Sequence, residues 1–143
     1  ARVEDLQARY MQALDEHDAD AFVACFTADG ELDVGDERHK GQSALRLAIA
    51  GLPRTDAKGI SGDGNQNAPA SRHLITNLVL DIDGAKATDR VYWMEVSQDK
   101  QQVEASGYFE DHLVRRNDRW LFTQRQEFGA RSAGAHGPTS AIK

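Results

Sequence analysis

The sequence predicts an α+β domain, with helices laid on one face of a curved sheet. Three observations predict it. Helical periodicity is confined to the first 50 residues, and from Ser71 onward the chain is rich in Val, Ile, Leu and aromatic residues. Turn dipeptides, Asp83-Gly84 and Asn117-Asp118, punctuate that second half into an antiparallel meander. Finally, 143 residues suffice for one domain and are too few for two ordinary ones.

Val3, Leu6, Tyr10, Leu14 and His17 recur at helical spacing, with Met11 at the edge of the stripe and Asp15 on its rim. Asp18 is placed to cap a second, shorter helix carrying Phe22, Val23, Cys25 and Phe26. Ala28-Asp29-Gly30 should break that helix, and Glu31 to Val34 reads as a short strand. A third helix spans Gln42 to Ala50 and stops at Gly51 and Pro53. Residues 54–70, with Gly59, Gly62, Gly64 and Pro69, read as a mobile loop of the kind that serves as a lid. Strands are expected at 71–82, 85–97, 102–115 and 119–128. The domain therefore covers 1–129, and the Gly, Ala and Ser-rich stretch 130–143 is expected to be a loose tail.

Composition narrows the function classes. A 40% apolar share, 28% charged residues and a mean hydropathy of −0.60 describe a globular chain able to bury a core without disulfides or a structural metal. The net charge of −6 opposes nucleic-acid binding, which needs a basic stripe. Its densest basic cluster, Arg115 to Arg119, falls in a hairpin turn and reads as a solvated edge. No apolar run is long enough to span a membrane and no signal peptide is visible. The single Cys25 excludes an internal disulfide and a cysteine-based zinc site, which fits a reducing cytoplasm. Because the chain opens on Ala1, a few residues are expected to precede it.

Several catalytic motifs fail on inspection. Gly59-Ile60-Ser61-Gly62-Asp63 lacks the last glycine of a nucleophile elbow, and Gly62-Asp63-Gly64 lacks the third glycine of a dinucleotide loop. No His pair has metal-ligand spacing, so no metal and no nucleotide are expected. Among the histidines, His73 stands apart. Alternation along Ser71 to Val79 puts His73, Ile75, Asn77 and Val79 on one face, where a His and an Asn must be hydrogen-bonded or line a cavity. Asp15 is either a solvated helix-rim charge or a functional carboxylate.

Neighbouring strands supply candidate walls. Val103, Ala105, Gly107, Phe109, Asp111 and Leu113 share one face, and Phe109 by itself reads as core packing. Val91 and Trp93 lie on one face of their strand, and Tyr92, Met94 and Val96 on the other. That two-sided apolar pattern suggests a second subunit behind the sheet, in a dimer or trimer. Arg125 is either an anion-directed group or a strand-edge charge, on the opposite parity from Trp120, Phe122 and Phe128.

Together these segments resemble the SnoaL-like branch of the nuclear-transport-factor-2-like superfamily, over residues 3 to 128. The carriers are Tyr10, Ala13-Leu14-Asp15, Asp18 to Phe22, Phe26 to Leu32, Gly41 to Leu45, Ser71 to Asn77, Gly107-Tyr108-Phe109 and Arg115 to Trp120. Scytalone dehydratase-like and hexachlorocyclohexane dehydrochlorinase-like enzymes are the most similar members. The resemblance implies a cone-shaped fold whose curved, mixed or antiparallel sheet encloses a cavity. It also implies a catalytic pair, Asp15 from the first helix and His73 from the first long strand, with Arg125 and Phe109 on later strands. Leu32 falls where the dehydrochlorinase has a cavity tryptophan, and Tyr10 replaces its helix lysine. The second histidine of scytalone dehydratase is absent from Val91-Tyr92-Trp93.

The chemistry so implied is a cofactor-free lyase, a dehydratase or dehydrohalogenase. His73 would remove a proton from carbon of a small, largely apolar cyclic substrate, Asp15 would orient and charge-stabilise the imidazole, and the leaving group would depart towards Arg125. Tyr10, Leu32, Asn77, Trp93, Ala105 and Phe109 would line the substrate site. An isomerase or polyketide cyclase could use the same abstraction, and the fold also serves as a non-catalytic ligand holder.

Overall fold

The computed structural model describes residues 2–52, 71–98 and 100–131. The first helix, α1 (Val3–Glu16), turns Val3, Leu6, Tyr10 and Met11 into the protein. It ends at His17, whose backbone is left-handed (φ 56°) and whose N–H bonds the Leu14 carbonyl at 3.1 Å. Asp18 caps α2 (Ala19–Val23) as expected, accepting the Ala21 N–H at 3.1 Å. The next strand, β1 (Phe26–Val34), begins at Phe26 rather than Glu31. Cross-strand pairing explains the difference, since Phe26 lies opposite Phe122 and Glu31 to Val34 lie opposite Gln124 to Glu127. The expected break at Ala28 to Gly30 becomes a slip of register inside the strand, not an end.

A short strand that sequence periodicity did not reveal, β2 (Glu37–Lys40), folds back on β1 through a turn containing Gly35 at φ 59°. The third helix, α3 (Gln42–Ala50), has the expected bounds. Four long strands complete the fold: β3 (Ser71–Asp83), β4 (Lys86–Ser97), β5 (Val103–Arg116) and β6 (Arg119–Arg131). The sheet order is β2-β1-β6-β5-β4-β3, with β1 parallel to β6 and every other pair antiparallel. Asn117 and Asp118 both carry positive φ in the β5–β6 turn, a backbone twist that matches the flanking strands. β6 runs past the expected boundary at residue 129. The expected loop 54–70 and nearly all of the expected tail 130–143 lie outside the described residues. No helix among the described residues is long and apolar enough to cross a membrane.

Two irregularities decide which side chains face the helices. Asn77 sits at φ 59° in a bulge between the Thr76–Tyr92 and Val79–Arg90 pairs. Parity reverses there: His73 and Ile75 face inward, then Leu78 and Leu80, while Asn77 and Val79 turn to solvent. A second shift, where His112 faces Gln124 but Leu113 faces Phe122, lets Phe122 and Arg125 both point inward despite their opposite parity. Phe128 is thereby sent to the outer face, where it stacks on Tyr108 at 4.8 Å.

The core lies between the helices and the inner face. Tyr10 is ringed by Phe22, Phe26, Phe109 and Phe122, with ring centres 5.2 to 6.1 Å away in tilted or edge-on geometry. Leu32, Leu45, Ile49 and Leu113 belong to the same cluster. Each such side chain stabilises the fold by about 1.5–3 kcal/mol relative to an exposed one. This core fixes the seam where α1 meets the sheet edge.

Candidate functional site

Asp15 lies in the last turn of α1, where the negative end of the helix dipole is unfavourable for a carboxylate. Strand β3 is the sheet edge, and α1 covers it. There the Asp15 carboxylate accepts the backbone N–H of His73, at 3.2 Å to Oδ1 and 3.3 Å to Oδ2. Asp15 Oδ1 also lies 2.7 Å from His73 Nδ1. The side chains are 11% and 22% exposed, so the pair is sheltered yet reachable from solvent. With Nδ1–H donating to Asp15, Nε2 is the nitrogen left for another partner.

Burial pulls His73 towards its neutral form, but the hydrogen bond to Asp15 and the charges of Glu95, Asp15 and Glu127 outweigh it, and its pKa is raised. Glu95 lies opposite His73 in the β3–β4 register, and Glu127 projects from β6 two residues beyond Arg125. Sequence reasoning passed over both carboxylates. Glu127 was concealed by the bulge in the β5–β6 pairing, since only the corrected parity turns it towards His73. Trp93 stands beside the pair, its ring centre 6.3 Å from that of His73. Ala105 is buried opposite Glu95. Asp15, His73 and Trp93 are thus close together, whereas Ala105 lies two strands from His73, and Trp93 and Ala105 both belong to the core cluster.

The remaining candidates do not reach the dyad, although Phe109 stacks on Trp93 at 6.0 Å. Asn77 is corrected: the bulge turns it to solvent, and its Oδ1 accepts the Thr76 hydroxyl at 2.7 Å. Tyr10, Leu32 and Phe109 are packed core side chains. Arg125 is corrected too, for it is neither a strand-edge charge nor a free acceptor for a leaving group. It is completely buried, bidentate to Asp111 through Nε and Nη2 at 2.8 Å each, and Nη2 also donates to Gln7 Oε1. Its guanidinium carbon lies 3.7, 4.1 and 4.3 Å from the ring centres of Phe109, Phe122 and Tyr10.

Gln7 ties this group to α1. Its Nε2 donates to Asp89 at 2.8 Å and to Asp111 at 3.1 Å. Burial raises both acids, but the Arg125 guanidinium brings Asp111 below the ordinary carboxylate value. Asp89, desolvated and hydrogen-bonded to Asp111, is raised well above it. A protonated Asp89 beside an ionised Asp111 and Arg125 makes the cluster neutral, which suits a buried site. One signal for it was present in the sequence: at about 100° per residue, Gln7 falls between Leu14 and Met11, inside the apolar stripe.

A broad groove of about 600 Å³ opens elsewhere, on the sheet face away from the helices, lined by residues including Asp81, Lys86, Thr88, His112 and Gln124. Neither Asp15 nor His73 lines it. Three or more His, Cys, Asp or Glu in metal-binding arrangement do not occur among the described residues.

Helices on one face of a mixed six-stranded sheet, with a carboxylate–imidazole pair at their seam, define a nuclear-transport-factor-2-like α+β cone fold. The chain belongs to the SnoaL-like domain family, whose model matches residues 1–126. A search of the curated proteins finds no match. Among solved structures, a Nostoc punctiforme protein with a cystatin-like fold is 23% identical, covering 92% of this chain and 90% of its own, at a TM-score of 0.74. A Novosphingobium aromaticivorans protein provisionally named a scytalone dehydratase is 17% identical, covering 98% and 89%, also at 0.74. ActVI-ORFA from Streptomyces coelicolor is 22% identical, covering 89% and 93%, at 0.69. These likenesses establish the fold.

Proposed function

We propose that this SnoaL-like protein is a cofactor-free enzyme that removes a proton from carbon of a small, largely apolar cyclic substrate, with Asp15 and His73 as a dyad. Members of the family are isomerases, cyclases or dehydratases. The observation that carries the reading is the 2.7 Å contact between Asp15 Oδ1 and His73 Nδ1 in a sheltered setting. Above the raised His73 pKa, it supports a neutral imidazole with its proton on Nδ1 and its Nε2 lone pair available as general base. As Nε2 takes the proton, Asp15 faces the new imidazolium, and partial burial strengthens that attraction over its value in water.

In the lyase form, the C–H electron pair becomes a double bond, the leaving group on the neighbouring carbon departs with its own pair, and the imidazolium returns its proton to water or to that group. Atoms and charges balance without a cofactor. A second form returns the proton to another carbon in isomerisation or, in cyclisation, to the oxygen of the carbonyl whose carbon the carbanion joins, and neither needs a leaving-group acceptor. The commitment of Arg125 to Asp111 and Gln7 favours this second form over dehydrohalogenation.

The homo-oligomer belongs to the same proposal. Val79 and Tyr92 are exposed apolar side chains on the outer face, beside the Tyr108–Phe128 stack, and a second copy packed there would cover them.

Deuterium uptake at the activated ring carbon of 2-tetralone in D₂O tests the reading without knowledge of the natural substrate. Uptake catalysed by the wild type and reduced at least ~100-fold in His73→Ala is expected. Equal rates for the two proteins, or no catalysis by the wild type, would overturn it.

A further inference from the structure

Side-chain hydrogen bonds tie α1 to the sheet at Asp15 and, nearer its start, at Gln7. Gln7 Nε2 donates to Asp89 on β4 at 2.8 Å and to Asp111 on β5 at 3.1 Å, while its Oε1 accepts from Arg125 on β6. None of these four residues is more than 7% exposed. Asp15 follows about two turns, ~12 Å, further along the same helix.

Charge makes the Gln7 attachment conditional. Two carboxylates face one guanidinium, and the other neighbours are neutral. Burial keeps the Tyr10 phenol protonated on α1, and Leu80 lies opposite Asp89 on β3. With both acids ionised, the cluster would carry an uncompensated negative charge in a dry seam. Asp89 is the acid held less firmly. Its Oδ1 has no hydrogen-bond partner among the described residues, and the Gln7 donor to its Oδ2 belongs to the helix itself. Desolvation and Asp111 together push its carboxyl up to about 8, so the seated helix covers a protonated acid.

We infer that Gln7, Asp89, Asp111 and Arg125 form a proton clasp: α1 seats over a cluster holding one proton between its two carboxylates, and lifting the helix releases that proton and parts Asp15 from His73. Once α1 leaves, water reaches Asp89, which ionises like an ordinary aspartate. Each lifting event is therefore linked to one proton. Rising pH favours the lifted helix about tenfold per unit, until Asp89 ionises in the seated state as well. The seam that carries the proposed dyad opens by this route, whatever chemistry the dyad performs.

Hydrogen exchange of ¹⁵N-labelled protein between about pH 5 and about pH 6 isolates the clasp. In that window Asp111 is ionised and His73 protonated whether the helix is seated or lifted, so only Asp89 changes its proton. The reporters are the Tyr10 and Met11 amides within α1 and the His73 amide, which donates to Asp15. Corrected for intrinsic rates, their protection should fall about 10-fold over that unit of pH. It should also stay at least ~10-fold below that of the Phe109 amide on β5, which is flanked by strands on both sides. In Asp89→Asn, which has no proton to release, the fall should disappear. Protection on α1 equal to that of Phe109 would mean that the helix leaves only with the whole fold, and would overturn the inference. So would a pH-independent wild type, or an Asp89→Asn slope equal to that of wild type. The two wild-type comparisons decide the matter even where Asp89→Asn does not fold. No substrate enters the measurement, so loss of the clasp and failure of the dyad are told apart.

Discussion

Asp15 holds His73 at two points: its carboxylate accepts the backbone N–H at 3.2 Å and lies 2.7 Å from the ring Nδ1. The residues are 58 positions apart, and the double contact fixes both the strand and the orientation of the imidazole it carries. Packing of α1 over the sheet edge therefore sets the geometry of the proposed base.

That attachment raises the His73 pKa, which gives a pH signature. Because the folded value exceeds the unfolded one, the stabilisation is fully present below pH 6.5 or so and is lost as pH rises through the folded pKa. The base needs the neutral ring, so exchange activity should rise with pH through that same folded value. In a ¹H NMR titration the His73 midpoint should lie above ordinary histidine in the wild type and fall in Asp15→Asn. A midpoint that does not respond to Asp15→Asn would remove the electrostatic coupling.

Asp89 should add to the same loss of stability with rising pH. Its carboxyl is pushed up to about 8 by burial and by Asp111, so the folded chain holds a proton that the unfolded chain releases. Stability should decline as pH climbs from about 4 to about 8. Asp89→Asn imitates the protonated acid and should flatten the decline, exceeding the wild type by about 1–2 kcal/mol at pH 9 in urea denaturation. Parallel curves for the two proteins would show that Asp89 is ionised in the fold.

Arg125 is a structural cation in this account. Arg125→Met leaves Asp111 buried without its counter-charge and should cost about 3–5 kcal/mol, whereas Arg125→Met with Asp111→Leu should recover much of that loss. Chemical denaturation measures both. A single variant as stable as the wild type would refute the role.

The outer face yields an association-state prediction. Sedimentation should show a dimer or trimer, and Tyr92→Lys, which puts a charge on the exposed apolar face, should shift it towards monomer. A monomeric wild type would remove the second copy.

How much of this was legible in the sequence follows from where periodicity holds. The bounds of α3, the Asp18 cap and the four long strands were readable because local pattern and turn chemistry agree there. The meeting of Asp15 with His73 came from family resemblance, since no local rule links a helix rim to a distant strand. The strand β2 was missed because Glu37-Arg38-His39-Lys40 is polar throughout and gains its structure only by pairing with β1. Asn77 was misplaced because alternation assumes an unbroken register, and a single bulged residue reverses every side chain beyond it. Arg125, expected in the site by resemblance, does face inward but is taken up by Asp111 and Gln7. Gln7 was overlooked although a polar residue between Leu14 and Met11 on the apolar face is itself a sign of a buried network.

The protonation pattern of one ring decides whether His73 can serve as the base. ¹⁵N NMR of the His73 side chain, recorded above its pKa, should show the proton on Nδ1 and a bare Nε2 that moves sharply when the ring is titrated. A proton resident on Nε2 would leave no lone pair facing the substrate, and the proposed abstraction would be contradicted.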